Sequence, residues 1–344
     1  MIQCCISICS GSSVIKLKGV RIKKISLYAG TVLELIVLYS IITFCCFSTL
    51  YVCNKEKICQ IGQSAGKKSF LTSLSSETTR ETKPISIHSP SHKKLHQFSK
   101  EQVGFYLAGL IDGDGHIYRN GMNISFHFKD ISLAYQIKSV VGYGSVYKYG
   151  PNYVRYSLTN REGLYYLSRL IHNKLLIPHK VASYNLLVKN YGFDLKEATL
   201  EKINFRDNYY LSGLFDADGN FTIVIIKREL KRERKPRSEI RLLARIDLKN
   251  NSNIISMIKD QFGGYVGTRL YPTGSITNPY SSTSFKNFYK FVKYFDSYHL
   301  QSKKSLEFFY MRKCYLLVQS KLHLTEGGAK KIGCYKTRIT VLKK

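Results

Sequence analysis

The chain has 344 residues, of which 53 are Lys or Arg and 23 are Asp or Glu, so its formal net charge is +30. Its hydrophobic share of 44% fits a globular protein, and its length suffices for one large or two moderate domains. Such an excess of positive charge opposes compaction unless an anionic partner neutralises it. Nucleic acid and an anionic membrane would both do so, and the 26 Tyr and 18 Phe favour nucleic acid through stacking.

The positions of the cysteines argue against a fold stabilised by zinc and against one stabilised by disulfides. Seven of the nine lie within the first 59 positions, and the remainder of the chain keeps only Cys314 and Cys334. No C-x-x-C pair recurs with a second Cys or His pair, so neither a zinc site nor a disulfide framework is expected in the larger C-terminal region. The pattern predicts a reducing compartment.

The first predicted element is an apolar segment at residues 25–53, which is long enough to span a bilayer and carries a single charge, Glu34. The Lys and Arg residues between positions 16 and 24 suit a membrane anchor or an organellar leader. Three interpretations stay open: an anchor that contacts a membrane through residues 25–53, a leader (1–53) that proteolysis removes, or a soluble core helix. Residues 54–97 are rich in Ser, Thr and Lys without apolar periodicity, which predicts a flexible linker.

From residue 98 onward the chain contains an internal repeat. The stretches FYLAGLIDGDGHI at 105–117 and YYLSGLFDADGNF at 209–221 align without gaps, which sets Asp218 against Asp114. Similar strand and helix patterns follow each stretch. The sequence therefore predicts two copies of one unit, at 98–200 and 201–344.

Each copy is predicted to contain a helix that ends in the acidic motif, two strands, a helix, two more strands and closing helices. The expected fold is α+β, built from two αββαββα units related by a pseudo-twofold axis. Polar and apolar residues alternate along the second strand of each copy, so each sheet has an apolar face for helices and a polar face for a ligand. The alternating sets are Ile124, Phe126 and Phe128 against Ser125, His127 and Lys129, and Ala244, Ile246 and Leu248 against Arg245, Asp247 and Lys249.

The first hairpin of the second copy has a strongly basic tip, KRELKRERKPR at 227–237. So much charge excludes burial. The tip is either a solvated loop or a loop that contacts phosphates, and its place in the repeat favours the second interpretation.

The acidic motif predicts a pair of packed helices with carboxylates at one end. Ala108 and Gly109 are small enough for the backbone of a second helix to approach, and Ser212 and Gly213 offer the matching face. Pseudo-twofold packing would bring Asp114 and Asp218 together, where a shared divalent metal relieves their repulsion and activates water for phosphodiester cleavage. Oxygen ligands favour Mg²⁺, or Mn²⁺ in its place, over zinc. A plain Asp-Gly turn is the simpler interpretation of one motif, but repetition of the motif argues against it.

Both copies of the motif resemble that of the LAGLIDADG homing endonucleases, since LAGLIDGDG (107–115) differs from the family name at one position and LSGLFDADG (211–219) at two. The resemblance covers roughly residues 98–342. It implies saddle-shaped antiparallel sheets lying along double-stranded DNA, catalytic metals held by Asp114 and Asp218, a monomer, and an intron-encoded protein of mitochondria or plastids. The polar residue that the family often places near the end of the second strand has no obvious match, because Phe128 and Leu248 stand there.

The resemblance also implies a basic residue at the start of the last helix of each unit, for which we select Lys180 and Lys303. The remaining candidates are the polar strand residues and the basic tip. The residues predicted to contact DNA are Ser125, His127, Lys129, Arg241, Arg245, Lys249, Lys231, Arg232, Arg234 and Lys235.

Two other functions compete with DNA cleavage. A maturase that binds intron RNA would use the same scaffold and the same charge, and intact Asp residues in both motifs favour cleavage without excluding it. A membrane-anchored structural or transport component would rest on residues 25–53 alone, and one span before a basic repeat makes a poor transporter.

Overall fold

The structure, a computed structural model, describes residues 8–9, 12–13, 84–228, 237–249, 251–271, 274, 276–282 and 284–343. Strands β1 (Ile8–Cys9) and β2 (Ser12–Ser13) pair antiparallel and belong to a separate unit, residues 1–73. All other described residues belong to a compact unit within residues 74–344. The apolar segment at 25–53 and residues 54–83 of the predicted linker lie outside the described residues. Among the helices that are described, none is long and apolar enough to cross a membrane.

The first repeat unit follows the predicted order of elements. Its first helix, α1 (Lys100–Asp114), begins at Ser99 because the Ser99 hydroxyl accepts a hydrogen bond of 3.2 Å from the Gln102 N–H. The elements after it are β3 (Gly115–Tyr118), β4 (Gly121–His127), α2 (Ile131–Val141), β5 (Ser145–Lys148), β6 (Tyr153–Leu158), α3 (Arg161–Ile171) and α4 (Pro178–Tyr191). The strands form an antiparallel sheet in the order β3-β4-β6-β5.

The second unit repeats this order with a longer first hairpin, a third strand after its second helix and one more closing helix. Its elements are α5 (Tyr210–Asp218), β7 (Gly219–Arg228), β8 (Arg237–Lys249), α6 (Ser252–Phe262), β9 (Tyr265–Val266), β10 (Arg269–Leu270), β11 (Ile276–Ser281), α7 (Phe285–Ser297), α8 (Lys304–Gln319) and α9 (Glu326–Lys343). The sheet runs β10-β11-β8-β7, with β9 also paired to β11. The duplicated α+β architecture is therefore confirmed.

The strand register shows how far the predicted alternation holds. Ile124 pairs with Gly115 and Ile246 pairs with Gly219, and both isoleucines are buried. The alternation ends earlier than predicted in the first unit, because β4 stops at His127 and the chain turns into a short 3-10 helix. Phe128 is consequently exposed rather than buried, and Lys129 lies beyond the strand, so its predicted place on the strand face is wrong.

Residues 84–97, predicted to belong to the flexible linker, pack instead against the second unit and, through Leu95–Gln97, against α2 of the first unit. The Ile85 N–H donates to Gln319 Oε1 at 2.8 Å, and the Arg312 guanidinium donates to the carbonyl oxygen of Ser86 at 3.0 Å. Leu95 is fully buried. We call residues 84–97 the N-terminal strap. Polar composition concealed it from the sequence analysis because hydrogen bonds to α8, rather than an apolar stripe, hold its first residues in place.

Candidate active site and nucleic-acid interface

The centre of the site is the packed pair of helices α1 and α5. A Cβ atom added to Gly109 would lie 2.0 Å from the carbonyl oxygen of Tyr210, and one added to Gly213 would lie 2.0 Å from that of Tyr106. The two backbones therefore touch at these glycines, as the sequence predicts, and no larger residue fits there. At the end of the pair, a Cβ on Gly113 would lie 3.2 Å from Asp218 Oδ2, so the acidic ends of the helices converge.

Two reciprocal hydrogen bonds tie this helix pair together. The Tyr106 hydroxyl on α1 donates to Asp216 Oδ2 at 2.8 Å, and the Tyr210 hydroxyl on α5 donates to Asp112 Oδ2 at 2.6 Å. All four side chains are buried. Burial raises the pKa of Asp112 to about 6, against the opposing effect of the hydrogen bond from Tyr210.

Asp112 and Asp216 also bind the loops that lead into the closing helices. The Leu176 N–H, before α4, donates to Asp112 Oδ2 at 2.7 Å. The Gln301 N–H, before α8, donates to Asp216 Oδ2 at 2.7 Å. Each of these aspartates thus connects a motif helix, the tyrosine of the opposite unit and the loop of its own unit. The sequence analysis missed the four residues, although the ungapped repeat alignment pairs Tyr106 with Tyr210 and Asp112 with Asp216.

The candidate catalytic carboxylates, Asp114 and Asp218, end the two helices. Burial and, second to it, repulsion from Asp114 together raise the pKa of Asp218 to about 6, against the opposing charges of Lys304 and Lys180. Burial likewise raises the pKa of Asp114, although its side chain reaches solvent at the mouth of the site. Two carboxylates that repel each other at helix C-termini, where the backbone carbonyls add partial negative charge, need a cation.

Lys180 supplies one positive charge to this end of the helices. Its ammonium group donates to the carbonyl oxygens of Asp112 at 2.6 Å and Gly113 at 3.2 Å, which are left unpaired at the C-terminus of α1. Burial lowers its pKa, and the neighbouring carboxylates, Asp112 first, oppose that shift. The structure therefore places the predicted Lys180 at the site.

In the second unit the equivalent place belongs to Lys304, not to the predicted Lys303. The Lys304 ammonium donates to the carbonyl oxygens of Phe215, at 3.1 Å, and Ala217, which match Ile111 and Gly113 in the repeat. Burial lowers its pKa, opposed by Asp216, Asp114 and Asp218 in that order. Lys303 contributes a backbone N–H to Asp130 Oδ1 at 2.7 Å instead. The selection of Lys303 is corrected to Lys304, because only the Lys304 side chain reaches the end of α5.

The strand register places a polar residue next to each helix end, although the sequence analysis found none. Ser125 follows Ile124 and Asp247 follows Ile246, so both lie one position beyond the pairs with Gly115 and Gly219. Asp247 is close enough to raise the pKa of Asp218. The two halves of the site therefore differ, with a hydroxyl in the first unit and a carboxylate in the second.

The donor set suits a hard divalent cation. Within the described ranges no group of three or more His, Cys, Asp and Glu residues could hold a metal ion, so the chain offers no closed site of the zinc type there. Asp114 and Asp218 offer carboxylate oxygens as ligands. The pKa values of both carboxyl groups are raised, and a bound cation would lower them. Mg²⁺ is commonly bound by one or two carboxylates, with water and substrate phosphates as the other ligands.

Comparison with known proteins identifies the family of this chain. The family model described as LAGLIDADG endonuclease matches residues 107–191 and 211–315, which include both acidic motifs, Lys180 and Lys304. The chain belongs to the LAGLIDADG endonuclease family.

Relatives in two yeasts extend the LAGLIDADG match over more of the chain. An uncharacterised cox1 intron-2 protein of Schizosaccharomyces pombe is 39% identical over 286 residues, and the match covers 79% of this chain and 83% of that protein. The intron-encoded DNA endonuclease aI3 of Saccharomyces cerevisiae is 26% identical, covering 64% of this chain and 65% of its own. The intron-encoded RNA maturase bI4 of the same yeast is 29% identical over 45% of this chain and 27% of its own.

Solved LAGLIDADG structures share the fold. The meganuclease I-CpaMI bound to uncleaved DNA superposes with a TM-score of 0.55 at 17% identity, covering 70% of this chain and 99% of that chain. The meganuclease I-SmaMI bound to its uncleaved DNA target in the presence of calcium ions gives a TM-score of 0.53 at 19% identity, covering 70% and 98%.

The polar sheet face of the first LAGLIDADG unit contains two of the predicted contact residues. Ser125 pairs with Arg155 and His127 pairs with Tyr153, so these four side chains share one face. Arg155 stacks on Tyr149, with its guanidinium 3.7 Å from the ring centre. The sequence analysis missed Arg155 and the exposed tyrosines, which the alternation in YVRYSLT (153–159) could have shown.

The polar face of the second unit is more strongly basic. Arg241, Arg245 and Lys249 are exposed on β8, as predicted, while the residues between them are buried or, in the case of Asp247, exposed beside the site. Arg241 forms an ion pair of 2.7 Å with Glu239. The basic tip, with Lys231, Arg232, Arg234 and Lys235, lies outside the described residues.

Proposed function

We propose that this chain is a site-specific DNA endonuclease that makes metal-dependent double-strand breaks by phosphodiester hydrolysis. The convergence of Asp114 and Asp218 at the end of one helix pair carries the proposal, because two strands need two sets of catalytic groups and one chain contains both. This also supports activity as a monomer. The DNA-bound structures of I-CpaMI and I-SmaMI support double-stranded DNA as the partner, and the calcium in the latter supports a divalent metal.

Each group of the site has a part in this reaction. Asp114 and Asp218 would hold Mg²⁺, or Mn²⁺ in its place, and a bound divalent ion activates water and stabilises the leaving oxygen. Lys180 and Lys304 place positive charge where negative charge develops on the phosphate. The polar strand faces, with Ser125, His127, Arg241, Arg245 and Lys249, and the basic tip at Lys231, Arg232, Arg234 and Lys235, would bind the backbone and fix its register.

The names of two relatives support a cellular setting. One is named for an intron of cox1 and one for an intron of ND4, which are mitochondrial genes, so we propose that this chain too is intron-encoded and acts in the mitochondrion.

The direct test incubates the full chain with a DNA library and Mg²⁺ and sequences the ends that form. Asp114→Asn and Asp218→Asn should each abolish double-strand cleavage with little loss of DNA binding, because the amide keeps the size of the carboxylate but not its charge. Asp194→Asn, at an exposed carboxylate in the loop after α4, is the matched control. If the motif aspartates only formed turns, Asn would replace them without effect, and wild-type cleavage by the double variant would refute the proposal.

A second candidate function is RNA maturase activity, which the similarity to the maturase bI4 favours. A splicing assay with the cognate intron tests it. Splicing that depends on the protein and survives Asp114→Asn and Asp218→Asn would support a maturase role separate from cleavage, whereas unassisted splicing would remove it.

A further inference from the structure

A pocket of about 340 Å³ opens beside α7, on the outer side of the second unit. Its walls include Arg206, Tyr289, Lys290, Lys293, Ser297 and Tyr298. None of the groups assigned to DNA cleavage takes part in it.

The pocket faces away from the polar sheet face. The inner side of α7 buries Phe288, Phe291 and Phe295 in the core, where Phe291 and Phe295 pack against Phe215 of the motif helix. Lys290 and Lys293 emerge from the other side of the helix. A ligand in this pocket would therefore leave the basic face of β8 free.

The charged residues that line the pocket are all positive. Arg206, Lys290 and Lys293 line it, and the described residues of its wall include no carboxylate. Burial lowers the pKa of Lys290, and repulsion from Arg206 and Lys286 lowers it further, so these cations are close enough to oppose one another. Two carboxylates lie nearby but outside the wall. Asp207 adds to the effect of burial in raising the pKa of Tyr298, and Asp296 of α7 forms an ion pair with Arg312, with 2.8 Å between Asp296 Oδ1 and Arg312 Nε. A bound anion would reduce the repulsion among these cations, which have no acidic partner among the described residues of the wall.

Aromatic rings and hydroxyl groups complete the wall. Tyr289 and Tyr298 present rings that are partly exposed, and the Lys293 ammonium lies 6.0 Å from the centre of the Tyr289 ring. Cations beside accessible rings bind single-stranded nucleic acid, because the rings stack on unpaired bases while the cations hold the phosphates. The volume lies near the lower end of the roughly 300–1,000 Å³ of small-ligand pockets, which suits one unstacked nucleotide and excludes a double helix.

We propose that this pocket binds single-stranded RNA, with a phosphate at Arg206, Lys290 and Lys293 and an unpaired base against Tyr289. RNA is favoured over single-stranded DNA because the hydroxyls of Tyr289, Ser297 and Tyr298 offer partners for a ribose 2′-OH, which both donates and accepts hydrogen bonds. The site is independent of DNA cleavage, so it stands or falls separately from the nuclease.

The test measures binding of the full chain, in EDTA, to fluorescently labelled oligouridine, oligothymidine and duplex DNA of about twelve nucleotides. Lys290→Gln with Lys293→Gln should flatten the slope of log affinity against log salt for oligouridine by about 0.7 for each phosphate that the variant no longer neutralises. Tyr289→Leu should weaken oligouridine binding about tenfold, because the base loses its stacking partner. Duplex affinity should not change with either variant.

The matched control is Lys330→Gln with Lys331→Gln, which removes the same charge from exposed positions on α9, outside the pocket. Thermal melts of every variant verify folding. Unchanged oligouridine binding in the folded pocket variants, or an equal loss in the control, would overturn the site. Equal affinity for oligothymidine would overturn the assignment to RNA.

Discussion

Lys303 and Lys304 are adjacent in the chain but occupy different environments, since only the Lys304 ammonium reaches the carbonyl oxygens that end α5. Lys304→Met should slow cleavage on the order of a hundredfold, because it removes the charge beside Asp218 that stabilises the reacting phosphate. Lys303→Met is the matched control and should cleave like the wild type. Single-turnover cleavage rates distinguish the two, and equal rates for the two variants would contradict the assignment of Lys304.

Tyr106 and Tyr210 are expected to act as positioning residues for the site of the opposite unit. Tyr106 bonds Asp216, whose carboxylate also holds the loop before Lys304, so Tyr106→Phe should disturb the second half of the site and slow cleavage of one strand. Tyr210→Phe should slow the other strand through Asp112 and Lys180.

The measurement for these tyrosines follows each labelled strand separately and looks for a nicked intermediate. A purely structural role would lower both strand rates together and leave no strand bias. Opposite biases in the two variants are the expected result, and the same bias in both would contradict the cross-unit contacts as their cause.

The carboxyl of Asp218 should make the stability of the metal-free protein depend on pH. Its folded-state pKa is raised to about 6, so its ionisation is harder in the folded chain than in the unfolded one, and stability falls as the pH rises through that value. Asp218→Asn should therefore stabilise the protein at pH 7 by about 1 to 2 kcal/mol, a figure reduced for partial exposure to solvent. The gain should disappear as the pH falls from 6 towards 4.

Urea denaturation in EDTA at several pH values, with Asp194→Asn as control, measures this effect. Adding Mg²⁺ at pH 7 should reverse the order of stability, because only the wild type keeps both carboxylates for the ion. A variant less stable than the wild type at pH 7 in EDTA would show that the Asp218 carboxylate is not repelled in the folded state.

At the scale of single residues, the sequence predicted the residues that the ungapped repeat duplicates, and missed the residue whose position depends on the length of chain between the motif and the closing helix. Asp114 and Asp218 stand in an ungapped alignment, so their meeting could be expected. Lys304 lies 86 residues after Asp218, whereas Lys180 lies 66 residues after Asp114, and only the alignment of Leu300 with Leu176, both buried before the closing helix, would have matched Lys304 to Lys180. Contacts of this kind depend on where the chain returns after many residues, which local pattern does not encode.

Close backbone contact between α1 and α5 makes their glycines intolerant of any side chain. Gly109→Ala would set a methyl group 2.0 Å from the Tyr210 carbonyl oxygen, so the helices must separate. We expect a loss of about 3 kcal/mol or more in the free energy of unfolding, at the upper end of overpacking effects.

The control for this helix contact is Gly333→Ala in α9, where an added methyl group meets nothing within 4 Å. There the substitution should stabilise by about 0.5 to 1 kcal/mol through helix propensity alone. Thermal or urea unfolding of both variants gives the comparison, and an unaffected Gly109→Ala would mean that the helix pair is looser than its backbone distances indicate.

At the scale of elements, periodicity predicted the strands and helices of both units because one face of each is buried. It did not predict the end of β4, where the chain turns into a 3-10 helix and exposes Phe128. Nor did it predict the N-terminal strap. Side-chain hydrogen bonds from α8 satisfy the backbone of the strap, and hydrogen bonds of that kind leave no apolar pattern in the sequence.

For the whole molecule, a net charge of +30 should make DNA binding strongly dependent on salt. Replacing Lys231, Arg232, Arg234 and Lys235 of the basic tip with Gln should reduce the slope of log affinity against log salt by about 0.9 for each phosphate that the tip neutralises in the wild type. A control replaces four exposed lysines elsewhere, namely Lys321, Lys330, Lys331 and Lys336. An equal slope in the wild type and the tip variant would assign the tip to solvent.

The N-terminal strap has a consequence for how the chain folds during synthesis. Its contact between Ile85 and Gln319 joins residues 234 positions apart, and the Arg312 contact with Ser86 joins residues 226 apart. The ribosome makes α8 after the whole of the first unit, so a nascent chain that has completed only the first unit lacks the partners of the strap on α8 and lacks Tyr210 as the partner of Asp112. The strap completes its contacts only once α8 has emerged, and translation that stops before α5 leaves a first unit that has no partner for its central helix face.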